Sequence, residues 1–141
     1  MFSNILVPTD GSELAEKAFR AAIGFAKEAG ARITGYYAMQ PVASQVMGEG
    51  YLFPANGKDH ESGSTFMTRL ASLAGEAGVR FDAVVSESSD PAAGIAAAAK
   101  RNGCDVIFMA SHGRRGLDWL AKGSVTADVL AKAEVPVLVY R

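Results

Sequence analysis

The chain has 141 residues, the size of one ordinary domain, and this length suffices to bury a core without disulfides or metals. Hydrophobic residues make up 49% and charged residues 21%, which excludes the disordered and collagen-like classes. With 14 Lys and Arg against 15 Asp and Glu, the net charge of -1 excludes a global basic field that could hold nucleic acid or an anionic membrane. We therefore expect one domain over residues 1–141, in which any anion site is local.

The cysteine content and the N-terminal segment indicate the compartment. A single cysteine, Cys104, excludes an internal disulfide and a cysteine-rich zinc site and indicates a reducing environment. The first residues lack the features of a signal peptide, and no apolar run approaches the roughly 18 residues of a membrane span. These observations predict a cytoplasmic protein with no metal site and with neither nucleic acid nor membrane as a partner.

Short apolar runs alternate with segments of helical period, which is the pattern of a parallel sheet covered by helices. In chain order we predict strands at residues 5–8, 32–39, 81–86, 105–110 and 135–140, and helices at about 12–29, 65–77, 90–102 and 124–133. Asp90 before Pro91 is a helix start, while Gly30 and Gly78 are helix stops. Residues 40–63 contain several Pro and Gly and no clear period, so they predict a long flexible loop, either a flap or a disordered connection.

Polar residues follow the first and fourth strands. The first strand ends in PTDGS and the fourth in SHGRRG. Ligands of doubly wound sheets bind at the strand C-termini, beside the point where the winding direction reverses. In the strand order 3-2-1-4-5, with helices on both faces, the first and fourth strands are neighbours and both polar ends converge on one crevice.

Residues 111–126 contain the largest concentration of residues suited to binding an anion. They combine several glycines with the cations Arg114, Arg115 and Lys122, and they reach a helix start at Gly123 and Ser124. Free N–H groups and the positive dipole end of a helix favour phosphate oxygens. The structural alternative is an ordinary connection with a capping serine and solvated arginines. Neither a P-loop nor a dinucleotide-binding glycine fingerprint is present.

These residues resemble the universal stress protein family of the UspA type over essentially the whole chain. The resemblance is carried by PTDGS after the first strand, SHGRRG after the fourth, GS at a helix start and a closing PVLV strand. In the nucleotide-binding branch of that family the signature is G-x2-G-x9-G-S/T, which binds ATP. Here Gly113, Gly123 and Ser124 match, whereas Ala110 stands in place of the first glycine.

The resemblance implies the doubly wound fold of the adenine nucleotide alpha hydrolases and a bound ATP, with AMP or ADP as alternatives and Mg²⁺ accompanying the nucleotide. It implies that Asp10 lies by the ribose and adenine, that the backbone at Ala38 faces the base, and that Ser124 holds the phosphates. The residues it places around the nucleotide are Pro8, Thr9, Asp10, Ala38, Ala110, Gly113, Arg114, Gly123, Ser124, Val125 and Thr126.

Ala110 is the one departure from the signature. If the position needs a positive φ, alanine costs on the order of 1 kcal/mol, whereas at negative φ only one methyl group must be fitted. We therefore expect nucleotide binding in the micromolar range, weakened rather than abolished.

The last strand predicts a partner. Pro136 cannot donate a ladder hydrogen bond, which places residues 135–140 at a sheet edge, and no charge protects their apolar side chains. The resemblance implies a homodimer paired through this strand.

The leading hypothesis is a cytoplasmic stress-response sensor or regulator that binds ATP, with no catalytic residue and at most slow ATP hydrolysis. The alternative is a dimeric interaction module of the same family that binds no nucleotide.

Overall fold

The computed structural model describes residues 1–11, 13–39, 58–110 and 124–141. In this part of the chain strands and helices alternate, as the sequence predicts. The elements are β1 (Asn4–Thr9), α1 (Glu13–Ala29), β2 (Arg32–Met39), α2 (Lys58–Glu76), β3 (Phe81–Glu87), α3 (Pro91–Arg101), β4 (Val106–Ala110), α4 (Ser124–Lys132) and β5 (Val137–Tyr140).

The strands form one parallel sheet in the order β3-β2-β1-β4-β5, which confirms the predicted fold class. In the register, Thr9 at the end of β1 lies opposite Tyr37 of β2, and Leu6 lies opposite Ile107 of β4. From β1 the chain winds outward to β2 and β3 and then returns to β4 on the other side. The switch point of the sheet therefore lies between β1 and β4.

The central strand β1 is buried along its whole length because helices cover both faces of the sheet. Ile5 and Val7 point to a core shared with α1 and α2, whereas Leu6 points to a core shared with α3 and α4. Successive side chains of a strand alternate between faces, so a continuous apolar run fits a strand with two buried faces. The largest fully buried side chains of the two cores include Phe19, Ile33 and Leu70 on the first face and Tyr36, Ile95 and Met109 on the second.

Helix α2 starts earlier than predicted. It begins at Lys58 rather than at residue 65, so residues 58–63 of the predicted loop are helical. Residues 58–63 show no hydrophobic periodicity. The helix is anchored instead by the residues that follow, where Phe66, Met67 and Leu70 are buried. Periodicity therefore detects only the packed part of the helix. The rest of the predicted loop, residues 40–57, lies outside the described residues.

Two glycines end α1 and α2 in the same way. Gly30 has φ +67° and Gly78 has φ +75°, which are left-handed values that glycine adopts without strain. The following N–H groups fold back, from Ala31 to the carbonyl of Ala26 at 2.8 Å and from Val79 to that of Ala74 at 2.9 Å. Both helices therefore end in the Schellman arrangement, as the two predicted stops require.

Asp90 caps α3 as predicted. Its Oδ1 accepts the N–H of Ala93 at 3.1 Å, and its Oδ2 pairs with Lys132 Nζ of α4 at 2.8 Å. The hydrogen bond from Lys132, and then that from the Ala93 N–H, lower the pKa of Asp90. One carboxylate therefore starts α3 and ties it to α4.

Asp105 joins the beginnings of β1 and β4. Its carboxylate accepts the backbone N–H of Ser3 at 2.7 Å, the Ser3 hydroxyl at 2.9 Å and the backbone N–H of Asn4 at 3.1 Å. Beside it, the buried Asn4 side chain accepts from the Thr34 hydroxyl and donates to the carbonyl of Asn102. These bonds satisfy the polar groups where three strands and a helix end meet.

The terminal strand lies at the sheet edge, as predicted, but is shorter. It begins at Val137 instead of residue 135, and Pro136 serves the sheet through its carbonyl, which accepts the N–H of Ile107 at 2.9 Å. Every residue of β5 is only partly buried.

Cys104 is buried, and desolvation raises the pKa of its thiol, which keeps it in the unreactive protonated form. Among the described helices none has the length and hydropathy needed to cross a bilayer.

Candidate functional site

Three strand ends and one helix start meet at the same edge of the sheet. Thr9 ends β1, Ala38 lies next to the end of β2, and Ala110 ends β4. Because these neighbouring strands are parallel, their C-terminal ends share one edge. Helix α4 connects β4 to the parallel strand β5, so it must run back across the sheet and its N-terminus lies at that edge as well. We call this region, formed by the ends of β1, β2 and β4 and the first turn of α4, the carboxyl edge.

The turn after β1 is tightly held. Thr9 is fully buried, and its Oγ1 accepts the N–H of Gly11 at 3.2 Å. Gly11 has φ +84°, and the ring of Tyr37 lies 3.9 Å from the position a Cβ would take there. Asp10 lies between these two residues and is partly buried. The chain therefore fixes Asp10 at the switch point instead of leaving it in a loose loop.

Pro8 and Ala38 contribute mainly backbone. Pro8 is buried in β1 with Tyr36 as its register partner, and it has no N–H to donate. Ala38 is partly buried on the face of α3 and pairs with Ser86 of β3.

The first turn of α4 carries an unusual hydroxyl. Val125 is buried in the core between α3, α4 and the sheet. The next residue, Thr126, has a buried Oγ1 that finds no hydrogen-bond partner among the described residues. An unpaired hydroxyl away from water costs free energy, and the first N–H groups of a helix have no intrahelical acceptor. Donors from the backbone and from a side chain therefore coincide at Thr126.

Ala110 fits its position without backbone strain. No described residue other than glycine has a positive φ, so Ala110 is in an ordinary strand conformation. It is 3% exposed, it belongs to the core on the α1 face, and it lies opposite Tyr140 of β5. The costly possibility raised by the sequence, an alanine in left-handed backbone, is therefore not realised.

The structure describes only some of the remaining predicted site residues. Ser124 begins α4, which agrees with its predicted place at a helix start. Gly113, Arg114 and Gly123 lie outside the described residues. Sequence reasoning missed two features, the ring of Tyr37 against Gly11 and the buried hydroxyl of Thr126. The register between β1 and β2 is the signal that could have found Tyr37.

The site offers donors for an anion but no preformed metal centre in the described ranges. Within residues 1–11, 13–39, 58–110 and 124–141, no group of three or more His, Cys, Asp or Glu could hold a metal ion. The arrangement combines a partly buried carboxylate at one strand end with a helix start, whose first N–H groups have no intrahelical acceptor. In α/β proteins with an open parallel sheet of this kind, ligands bind at the carboxyl ends of the strands, beside the switch point.

Comparison with known proteins identifies the family. The Universal stress protein family model matches residues 1–141. A universal stress protein from Thermus aquaticus is 32% identical, with all of both chains covered, and one from Methanocaldococcus jannaschii is 30% identical over 100% of this chain and 83% of its own. A universal stress family protein from Burkholderia pseudomallei, solved by crystallography, has 26% identity and a TM-score of 0.74 over 98% of this chain and 95% of its own. The chain belongs to the universal stress protein family.

Two further solved structures share the fold and contain nucleotides. One is a universal stress protein from Archaeoglobus fulgidus in complex with dAMP, with a TM-score of 0.71 at 18% identity over 100% of this chain and 98% of its own. The other is a universal stress protein in complex with cAMP, with a TM-score of 0.72 at 18% identity over 99% of this chain and 97% of its own. At this level of identity the likeness concerns the fold alone.

Proposed function

We propose that this chain binds an adenine nucleotide, ATP above all, across the carboxyl edge, and that it acts in the cytoplasm as a regulator in a stress response. The observation that carries the proposal is the Thr126 hydroxyl, which is buried without a partner among the described residues in the first turn of α4. A phosphate oxygen there would accept from this hydroxyl and from the free N–H groups of the turn. The dAMP and cAMP complexes of the two relatives support the adenine nucleotide as the ligand class.

At the other end of the ligand, the proposal assigns the ribose and base to β1 and β2. The Asp10 carboxylate would accept hydrogen bonds from ribose hydroxyls, and it is held at the switch point by the Thr9–Gly11 turn. The backbone at Ala38 would face the base, with Pro8 beneath it. Ala110, Gly113, Arg114 and Gly123 would surround the phosphates together with Ser124 and Val125.

Mg²⁺, where present, would arrive with the nucleotide phosphates, because the described residues contain no metal-binding cluster of their own. The proposal names no catalytic residue and allows at most slow hydrolysis of ATP. The family's other mode, a dimer that binds no nucleotide, remains the competing function.

The decisive experiment is calorimetry with ATP and AMP on the wild type and on Thr126→Val. We expect micromolar affinity for the wild type and a loss of about tenfold or more in the variant, since a hydrogen bond to a charged group contributes about 1.5–3 kcal/mol. Without ligand, Thr126→Val should be as stable as the wild type or more so, because it removes an unpaired buried hydroxyl. Opposite effects on binding and on stability would distinguish a ligand contact from a structural role.

Two further variants complete the test. Thr65→Val, on the exposed side of α2, is the matched control and should leave affinity unchanged. Gly123→Val should abolish binding while the fold is retained. Absence of heat and of thermal stabilisation at millimolar ATP would contradict nucleotide binding and favour the competing function.

The second part of the proposal is a homodimer formed through β5, with the preceding residues 135–136. The support is the partly buried apolar edge strand together with Leu130 of α4, which is 54% exposed. A second copy would cover both. Light scattering should give a dimer for the wild type and a monomer for Val139→Lys. Val85→Lys, at the opposite edge strand β3, is the control and should stay dimeric.

A further inference from the structure

A cavity lies at the end of the sheet opposite the carboxyl edge, where the strands begin. It has a volume of about 320 Å³. Three of its lining residues, Lys27, Arg32 and Arg80, are cationic, and no described lining residue is acidic. The other described residues around it are small or apolar, namely Ser3, Ala26, Gly30, Ala31, Ala77, Gly78 and Val79. We call it the amino-edge cavity.

The cavity arises from a pattern that the chain uses twice. Ala29-Gly30-Ala31-Arg32 ends α1 and enters β2, and Ala77-Gly78-Val79-Arg80 ends α2 and enters β3. Both segments form the same Schellman turn. Because β2 and β3 are paired, with Ile33 opposite Phe81, the two arginines that precede these residues enter the sheet side by side.

The cations of this cavity are poorly neutralised. Within the described part of the chain, Lys27 and Arg80 make no ion pair. Arg32 has only a loose contact with the exposed Asp82, with 3.8 Å between Nη1 and Oδ2. Like charges on neighbouring strands repel each other, so the unliganded cavity bears an electrostatic cost.

The helix ends do not account for these cations. Lysine and arginine near a helix C-terminus often serve its last carbonyls. Here the carbonyls of Ala26 and Lys27 in α1, and those of Ala74 and Gly75 in α2, already accept backbone N–H groups. The side chains of Lys27 and Arg80 therefore remain available to an external anion.

We propose that the amino-edge cavity binds a small phosphate-bearing polyanion. Two arginine guanidinium groups offer the forked donor geometry that suits phosphate oxygens, and the lysine adds a third charge. The volume lies at the lower end of the range for ligand pockets, which favours a compact ligand. The six residues of β1 separate this cavity from the carboxyl edge by roughly 20 Å at about 3.3 Å per residue, so the two sites are distinct.

The test uses inorganic pyrophosphate as the probe and amide chemical shifts as the readout. We expect saturable shifts at Gly30, Ala31, Gly78 and Val79. Arg80→Gln should weaken this binding by about tenfold, since it removes a charge-assisted hydrogen bond. Arg101→Gln is the matched control, because Arg101 is exposed at the end of α3 and does not line the cavity, and it should bind as the wild type does.

Three outcomes would overturn the proposal. One is the absence of saturable shifts at these amides, and another is an equal loss in Arg80→Gln and Arg101→Gln, which would indicate diffuse charge attraction. The third is a set of shifts confined to residues 124–126, which would mean that pyrophosphate uses only the phosphate end of the carboxyl edge. If Arg80→Gln does not fold, Lys27→Gln makes the same comparison.

Discussion

The phenolic oxygen of Tyr36 occupies the space beside α3 that a side chain on Gly94 would need. A Cβ built on Gly94 would lie 2.5 Å from Tyr36 Oη and 3.1 Å from Ser88 Oγ. Tyr36 is 1% exposed, and its hydroxyl is hydrogen-bonded to Ser86 of β3 at 2.7 Å. Gly94 therefore permits the close packing of α3 on β2 and β3, next to the proposed nucleotide site.

Gly94→Ala should destabilise the protein although alanine is the better helix former. The propensity gain is about 1 kcal/mol, and overpacking a rigid contact costs about 1–3 kcal/mol, so we expect a net loss of about 1 kcal/mol in urea unfolding. Gly75→Ala in α2 meets no atom within 4 Å and should be neutral or stabilising. A stabilised Gly94→Ala would show that Tyr36 moves freely. Combining it with Tyr36→Phe should recover part of the loss.

Gly24, inside α1, and Gly30, directly after its last residue, form a matched pair. A Cβ would meet nothing within 4 Å at either position, but only Gly30 has a positive φ. Gly30→Ala should lower the free energy of unfolding by about 1 kcal/mol because of backbone strain, whereas Gly24→Ala should raise it by about 0.5–1 kcal/mol. Thermal unfolding of both variants gives the comparison, and effects of the same sign would refute the assignment to backbone conformation.

Asp105 makes stability depend on pH in the acid range. Partial burial acts to raise its pKa, but the hydrogen bonds from the Ser3 and Asn4 backbone and from the Ser3 hydroxyl outweigh it, so the pKa lies below the ordinary 3.8. A lowered pKa in the folded state stabilises the protein fully above 3.8, and this contribution is lost as the pH falls through the folded value.

Asp105→Asn should therefore melt at a lower temperature than the wild type at neutral pH, and the gap should narrow as the pH drops below 3.8. Glu87→Gln, at an exposed position of β3 without an ion pair in the described residues, controls for the change in net charge. A gap that stays constant down to acid unfolding would mean that the Asp105 carboxylate contributes nothing through its charge.

Ala110→Gly restores the family signature but should bring no benefit. The Ala110 Cβ is buried in the core and its φ is not positive, so glycine would remove packing and add chain entropy at a cost of about 1 kcal/mol. Nucleotide affinity should change by less than about threefold, or under 1 kcal/mol. A much tighter complex in calorimetry would show that the methyl group obstructs the ligand.

The sequence predicts the architecture well because the hydrophobic periodicity agrees with the residues that start and end helices. The apolar run at β4 indicates a strand covered on both faces, and Gly30, Gly78 and Asp90 mark helix ends that the structure confirms. The start of α2 was predicted wrongly because residues 58–63 are polar and are held by the packing of the helix that follows. Such tertiary support leaves no local pattern in the sequence.

The candidate site was predictable only in part. The strand order brings Thr9, Ala38 and Ala110 together at one edge, as the sequence-based topology requires. The sequence did not predict the Thr126 hydroxyl, which has no hydrogen-bond partner among the described residues, or the side-by-side cations Arg32 and Arg80. Whether a polar or charged side chain finds a hydrogen-bond or ion-pair partner depends on distances between segments that are far apart in the chain, and the sequence does not show these distances.

The central position of β1 has a consequence for biosynthesis. During synthesis β1 pairs with β2 soon after α1, but its other edge waits for β4, so that Ser3 meets Asp105 across 102 positions of chain. Until then the nascent sheet β3-β2-β1 presents an apolar strand with an open edge, which is the feature that invites aggregation. Delayed closure of long-range contacts also slows folding. Synthesis of the residues between β3 and β4, 88–105, is therefore the interval in which chaperone protection matters most.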